Sequence, residues 1–546
     1  MTVQTKRTSL LAAVGLAATL AGPPAQGQPI PGDPVTIDSG RVAGTLLPSG
    51  VRGYFGIPFA APPVGPLRWR DPVPPRPWNG VYQAVRFAPE CIQPLRAHNI
   101  NHYFGEEATS EDCLYLNVWA PPEPPPANHP YPVVVWIYGG AFLVGSAAMP
   151  IYSGAPLAAK GVVYIGMNYR VGPFGFFAHP ELTAESPHRA SGNYGLLDQV
   201  EALRWVQKNA AAFGGDPGNV TVMGQSAGSF SVALLQVDPL AHGLFHRGMG
   251  MSGAPYGGLL GPVSLTQAEQ QGLDLQTALK AGSLAAMRDM PADRIAQAAG
   301  PRPRNIAIDG YSLPADPTDV FAKHRQADVP LIVGFNADEG FRSLGPIADL
   351  QGYRDAVAKA FGAHADAVLG LYPATTDAAA RRAAVEIGRD STVAAQMNVW
   401  ARNQAAFGKA PVYAYFYSRV HPYADGVTFA DHDPHTVGAY HTGDTPYWLG
   451  TLDSLNIVRK TRDWTAGDRT MSDKMSDLIV AFARSGDLNT ANLFDWPAYH
   501  PESERVAEFG PGGISVRPWP NAASLPLFET IFEKTAKIDP PARARD

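Results

Sequence analysis

The sequence predicts an α/β fold: a large, mostly parallel central sheet flanked by helices, with helical insertions over one edge. Three observations predict it. Residues 133–138 and 162–169 are apolar runs uninterrupted by charge, as expected of central parallel strands buried on both faces. Such runs alternate along the chain with helical periodicity, the pattern of strand–helix–strand units. Val220-Thr221-Val222 leads directly into Gly224-Gln225-Ser226-Ala227-Gly228, and a helical pattern over 229–236 follows it. A serine between a strand and a helix in a G-x-S-x-G turn sits on a cramped backbone. Only hydrogen fits at the flanking glycines, and the serine oxygen is left exposed at a helix N-terminus.

The 546 residues alone would suggest three or four domains. No composition shift or low-complexity linker divides them, so residues 28–546 read as a single domain with insertions. There are 43 basic and 49 acidic residues, for a net charge of −6, and no basic run. That excludes nucleic acid as an expected partner. The 55 glycines and 52 prolines, about a fifth of the chain, imply many ordered loops without reaching the level of disordered sequences.

Residues 1–27 read as an export signal. Lys6 and Arg7 precede a 12-residue apolar run over 10–21, too short to span a bilayer, and Ala25-Gln26-Gly27 offers small residues for cleavage after Gly27. The expected location is therefore secreted or periplasmic, with no stable membrane anchor. The chain has two cysteines, Cys91 and Cys113. In an exported protein such a pair is expected to join, and closing a loop of about 20 residues stabilises by ~3 kcal/mol on the chain-entropy model.

Short strands are expected at 35–38, 41–47 and 54–59. An irregular proline-rich stretch follows over 62–77, then the loop between the cysteines and an alternating strand at 114–120. After the strand at 133–138 comes the turn Gly139-Gly140-Ala141-Phe142. Asn193 is the expected N-cap of a helix carrying Leu196, Val200, Leu203 and Val206, which Gly214-Gly215-Asp216-Pro217 stops. Further strands are expected at 247–252, 329–335 and 412–417. The alanine-rich stretches 256–328 and 341–410 are the insertions.

A serine nucleophile needs a histidine to take its proton, and the histidine needs an acid to fix its tautomer. For a strand–turn–helix serine these partners follow in the order acid, then histidine, on loops leaving the carboxyl ends of strands. Asn336-Ala337-Asp338-Glu339-Gly340 leaves such a strand, and either carboxylate could serve. Six histidines follow: His364, His421, His432, His435, His441 and His500. His441, in Gly438-Ala439-Tyr440-His441-Thr442-Gly443, lies where an apolar stretch meets a glycine turn and is the best placed. The cluster Asp431-His432-Asp433-Pro434-His435 lacks an accompanying ligand motif, so it reads as a solvated loop and no metal is expected. An oxyanion requires converging backbone N–H groups, which Gly139-Gly140-Ala141 and Ala227 can supply.

Tyr54 to Pro63, Ser110-Glu111-Asp112-Cys113-Leu114-Tyr115-Leu116-Asn117-Val118, Trp136 to Phe142, Asn168-Tyr169-Arg170, Gly192 to Gln199, Phe213 to Pro217 and the serine turn together resemble the type-B carboxylesterase/lipase family of α/β-hydrolases. That family includes cholinesterases and bacterial para-nitrobenzyl esterases. The resemblance covers nearly all of the chain after residue 27. It implies Ser226 as nucleophile, Glu339 as acid and His441 as base, with an oxyanion hole at Gly140, Ala141 and Ala227. It also implies the Cys91–Cys113 bridge, a supporting hydroxyl at Ser252, a small-molecule ester substrate and no cofactor. Two departures stand out: Ala141 replaces the third glycine of the family's oxyanion turn, and Gln225 stands where cholinesterases carry glutamate. Counting back without gaps from Cys113, Tyr103 takes the place of the cholinesterase tryptophan, and residues 92–112 contain no tryptophan. A general carboxylesterase is therefore expected, not a choline esterase. The competing classes are a binding-only adhesion protein on the same fold, which normally lacks the serine or histidine, and an amidase or peptidase.

Overall fold

The computed structural model describes residues 28–105, 108–256, 261–300, 306–340, 344–491 and 493–536. The expected export segment and its cleavage position after Gly27 lie outside these residues. One 11-stranded sheet dominates. Its strands in chain order are β1 Thr45–Leu46, β2 Arg52–Pro58, β3 Tyr115–Ala120, β4 Tyr131–Ile137, β5 Val163–Met167, β6 Gly215–Gln225, β7 Arg247–Met251, β8 Leu331–Asn336, β9 Val412–Tyr417, β10 Arg505–Gly510 and β11 Gly513–Pro518. Across the sheet they run β11-β10-β9-β8-β7-β6-β4-β5-β3-β2-β1. The seven central strands, from β10 to β5, pair in parallel, and the antiparallel pairs lie at the two edges.

The burial of the centre explains its composition. Val133, Val134, Val135, Trp136 and Ile137 are all fully buried, so both faces of β4 are covered and neither face can carry a charge. Helix α1, Tyr194–Asn209, and helix α2, Ala227–Val237, flank the sheet. Helix α3, Ala395–Phe407, lies inside the second insertion yet packs on the sheet, where buried Trp400 donates to Gln236 Oε1 at 2.9 Å. The first insertion forms a satellite core of its own, in which Leu275, Leu284, Met287 and Ile295 pack with Trp69 and Phe177.

Separated motifs meet in space. The Gly56 N–H donates to Asn117 Oδ1 at 2.9 Å, and buried Arg170 holds Asp198 through bonds of 2.7 and 2.8 Å. Cys91 and Cys113 are joined as a disulfide. Asn193 stands at the N-terminal boundary of α1, but its side chain does not cap the helix. It exchanges hydrogen bonds with the Ala307 backbone at 2.8 and 3.0 Å instead, tying the first insertion down. Elements that went unread in the sequence include β10, β11 and α4, Ala466–Ser485. Charged residues interrupt both strands. The apolar stripe of α4 is formed by Met471, Met475, Leu478 and Ile479 and is diluted by serines that the fold nevertheless buries.

Candidate active site

The serine turn is built by β6, α2 and the strand beside each. From 220 to 230, Ser226 is the one residue that is not buried. Its backbone is at φ 56° and ψ −122°, a sparsely populated region for a side-chain-bearing residue. The surroundings enforce it. The Ser226 N–H donates to Met251 O at 2.8 Å, and its carbonyl accepts from the Phe230 N–H at 3.0 Å. A Cβ at Gly228 would stand 2.0 Å from Ile137 O, and one at Gly224 would stand 2.5 Å from the Gly228 carbonyl. Both flanking glycines are therefore steric requirements, and Ser226 sits at the cap of α2 because no other path is open.

The glycine turn after β4 abuts it, since a Cβ at Gly139 would lie 2.9 Å from Ser226 Cβ. Gly140 has φ 112°, and its carbonyl turns away to accept from Leu143 and Val144 at 2.9 and 3.1 Å. Ala141 follows at φ 55°. That left-handed conformation accounts for the family's glycine here, and alanine is the smallest residue that pays its cost, on the order of 1–2 kcal/mol. Among the described residues, no backbone carbonyl accepts from the N–H groups of Gly140, Ala141 or Ala227. They are the three N–H groups expected to converge on an oxyanion.

Glu339 and His441, 102 positions apart, are brought together: His441 Nδ1 lies 3.0 Å from Glu339 Oε1. In the tautomer with Nδ1 protonated, Nδ1 donates to Glu339 and Nε2 keeps its lone pair. Gln225 Nε2 lies 3.0 Å from His441 Nε2, so the imidazole nitrogen faces the residue preceding Ser226. Glu339 is fully buried, and the His441 side chain is 22% exposed. Asp338, the other carboxylate of this loop, points elsewhere. It pairs with Arg382 at 2.5 Å and accepts from the Ala439 N–H at 2.7 Å, which fixes the start of the histidine turn. Ser252 follows β7 at φ 60°, buried, with its N–H on Gly334 O at 2.8 Å.

Several residues around His441 had no sequence signal. Asp444 is fully buried, accepting from Tyr415 at 2.6 Å and from Asn336 at 3.2 Å. Burial, followed by the negative charge of Glu339, pushes its carboxyl up to about 6. Arg462 belongs to the charged stretch Arg459-Lys460-Thr461-Arg462-Asp463, yet its side chain is buried. The 431–435 loop is only partly solvated. Its Asp431 accepts from the Asn101 N–H at 3.0 Å, and His432 stacks on Tyr440 with ring centroids 5.4 Å apart. Beside His441 opens a cavity of about 350 Å³, lined by residues that include His102, Asp431, His432 and Thr442.

Comparison with known proteins identifies the family. A family model described as the carboxylesterase family matches residues 32–522. The chain is 38% identical over 498 residues to the fumonisin B1 esterase of Sphingopyxis macrogoltabida, covering 88% of each chain. It is 34% identical over 495 residues to the para-nitrobenzyl esterase of Bacillus subtilis, covering 86% of this chain and 94% of the relative. A solved para-nitrobenzyl esterase superposes with a TM-score of 0.76 at 30% identity, over 90% of this chain and 98% of the other. By sequence and by fold, the chain belongs to the carboxylesterase family and is a carboxylic ester hydrolase.

Proposed function

We propose that the protein is an exported serine carboxylesterase that hydrolyses neutral esters through Ser226, His441 and Glu339. One observation carries the reading: the Glu339–His441 hydrogen bond leaves Nε2 facing the strained serine turn, against which the Gly139–Ala141 backbone packs. His441 Nε2 takes the Ser226 hydroxyl proton as Oγ attacks the ester carbonyl. The N–H groups of Gly140, Ala141 and Ala227 hold the oxyanion. Glu339 stabilises the imidazolium, which then protonates the departing alcohol. Water repeats the sequence on the acyl-enzyme and releases the acid. The backbone donors are fixed before substrate arrives, so little reorganisation opposes charge development. Gln225 donates to Nε2 in the resting state and must release that lone pair when the serine proton transfers.

Neutral esters are favoured because the features that would attract a cation are replaced. Tyr103, packed against His98 with ring centroids 4.8 Å apart, stands where a cholinesterase tryptophan would be. Gln225 brings no charge beside the serine. Tyrosine is a weaker cation-binding face than tryptophan.

The test is kinetic and chemical. A chromogenic phenyl ester should give a burst of phenol, and an organophosphonate should label Ser226 and no other serine. An ester should far outpace its matched amide. 3,3-Dimethylbutyl butyrate should match or exceed butyrylcholine in kcat/KM. Labelling at Ser229 or Ser252 overturns the nucleophile, and a tenfold preference for the choline ester overturns the substrate class. Export is checked separately by fractionation, with a mature N-terminus expected at Gln28.

A further inference from the structure

Arg462 lies beneath the histidine turn with 1% of its surface exposed. A buried cation is costly unless paired, and among the described residues every acceptor Arg462 reaches is neutral. Its Nε donates to His421 Nδ1 at 3.1 Å and its Nη1 to Thr461 O at 3.3 Å. Its Nη2 donates to Asn101 Oδ1 at 2.7 Å and, more weakly, to the Tyr440 hydroxyl at 3.5 Å. The guanidinium also lies 3.9 Å from the centre of the Tyr423 ring and 5.3 Å from that of Phe429, whose π faces offset part of the cost.

A guanidinium has donors only, so it fixes the polarity of each group it touches. His421 must accept at Nδ1, so its proton sits on Nε2, which donates to Gly443 O at 2.7 Å. Asn101 must turn its oxygen to Arg462. Its amide nitrogen therefore faces the Tyr440 hydroxyl and His102 Nε2, each at 3.1 Å. The Thr442 hydroxyl meets that same His102 nitrogen at 3.4 Å. Tyr440 and Thr442 flank His441 directly, and Gly443 is the next residue. All three are tied, in one or two steps, to a single side chain. Burial, then the charge of Arg462, hold His102 down to about 3 and His421 well below its ordinary value. Both rings stay neutral and keep the lone pairs that the network uses.

We propose that Arg462 is a positioning residue for catalysis. It orders the turn 440–443 through His421, Asn101 and His102, and so aims His441 Nε2 at the Ser226 hydroxyl. The proposal rests on the Ser226–His441–Glu339 reading above.

The test compares Arg462→Met, Arg462→Lys and Asn101→Ala with Ile295→Ala, a control in the remote satellite core matched for loss of thermal stability. Assays run well below every melting temperature. In Arg462→Met, kcat should fall about 10²-fold with KM within about twofold, the signature of a misplaced base and not of lost binding. Arg462→Lys, which keeps the charge but not the fork of donors, should recover part of that loss, and Asn101→Ala should lose about tenfold. Phosphonylation of Ser226 should slow in parallel with kcat. The far-downfield proton of the His441–Glu339 hydrogen bond should broaden or shift in the Arg462 variants and stay unchanged in Ile295→Ala. If Arg462→Met does not fold, Arg462→Lys and Asn101→Ala decide. A kcat within twofold of the parent in the variants that fold overturns the proposal. If phosphonate fails to label Ser226 in the parent itself, it is the catalytic reading that has failed, and the two failures are distinguishable.

Discussion

The two halves of the candidate site are held in place by different means. The serine half is a backbone construction. Between β6 and α2 its geometry follows from a few consecutive residues, two glycines with no room for a Cβ, and two backbone hydrogen bonds. The histidine half is a side-chain construction. The turn around His441 hangs on Asn101, His102, Asn336, Asp338, His421 and Arg462, and one bond of the network spans 361 positions of sequence. Sterics of that kind are indifferent to pH, whereas a network of buried titratable groups is not. The serine half should therefore fail abruptly, by loss of chemistry or of folding, and the histidine half should be graded and tunable.

The largest expected effect breaks the serine half. Ser226→Ala should lower kcat by about 10⁶-fold while leaving thermal unfolding near that of the parent, measured on the same preparation. Next comes the contrast between the two carboxylates of the histidine half. Glu339→Gln should cost about 10⁴-fold in kcat, since the amide can favour the wrong tautomer of His441. Asp338→Asn should cost about tenfold or less, because Asp338 touches the turn through the Ala439 N–H and not the imidazole. A reversed ranking in steady-state kinetics would move the acid to Asp338.

A smaller effect tests the sterics. Gly228→Ala places a methyl 2.0 Å from Ile137 O, against a backbone that cannot move without shifting β4. It should cost about 3 kcal/mol or more of stability, read as a lower melting temperature or insoluble expression. A stable Gly228→Ala protein would mean that the turn is less confined than its geometry indicates.

The smallest effect sharpens the electrostatic side of the comparison. The Asp444 carboxyl is raised to about 6, above its unfolded value near 4, so the folded state holds its proton more tightly. Below about pH 4 the group is protonated in both states and its ionisation costs nothing. As the pH rises through 6, ionisation in the folded protein becomes a penalty of about 2–3 kcal/mol. Asp444→Asn removes that ionisation. The melting temperature of Asp444→Asn minus that of the parent should therefore grow between pH 4 and pH 7. A difference that stays flat, or that shrinks, would show that Tyr415 and Asn336 hold the carboxylate ionised despite its burial.

These contrasts follow the line between what was legible in the sequence and what was not. The parallel core could be read because its strands are covered on both faces, and burial on both faces leaves long apolar runs such as 133–138. The serine turn could be read because its requirement is local: a side chain is barred at two positions four residues apart. The pattern singled out β8 and the residues after it, and the resemblance chose Glu339 over Asp338; in space Glu339 lies on His441 and Asp338 on Arg382 and Ala439. Strand β10, the edge strand β11 and helix α4 were not legible, because charged or small polar residues interrupt their apolar pattern and packing alone decides their burial. Asn193 was placed at the right boundary with the wrong partner, since nothing local announces that residues 307–309 will lie beside it.

By itself, then, the sequence determined the strand–helix alternation, the serine turn and the family, because each depends on residues within a few positions of one another or on motifs repeated in family order. Tertiary structure alone decided the setting of His441. What holds the turn around His441, and how an arginine from a charged stretch comes to lie beneath it, depend on contacts between segments up to 361 positions apart. Such contacts leave no period or spacing in the chain, because the energy of a buried hydrogen bond depends on where its partners stand in space and not on how far apart they are along the backbone.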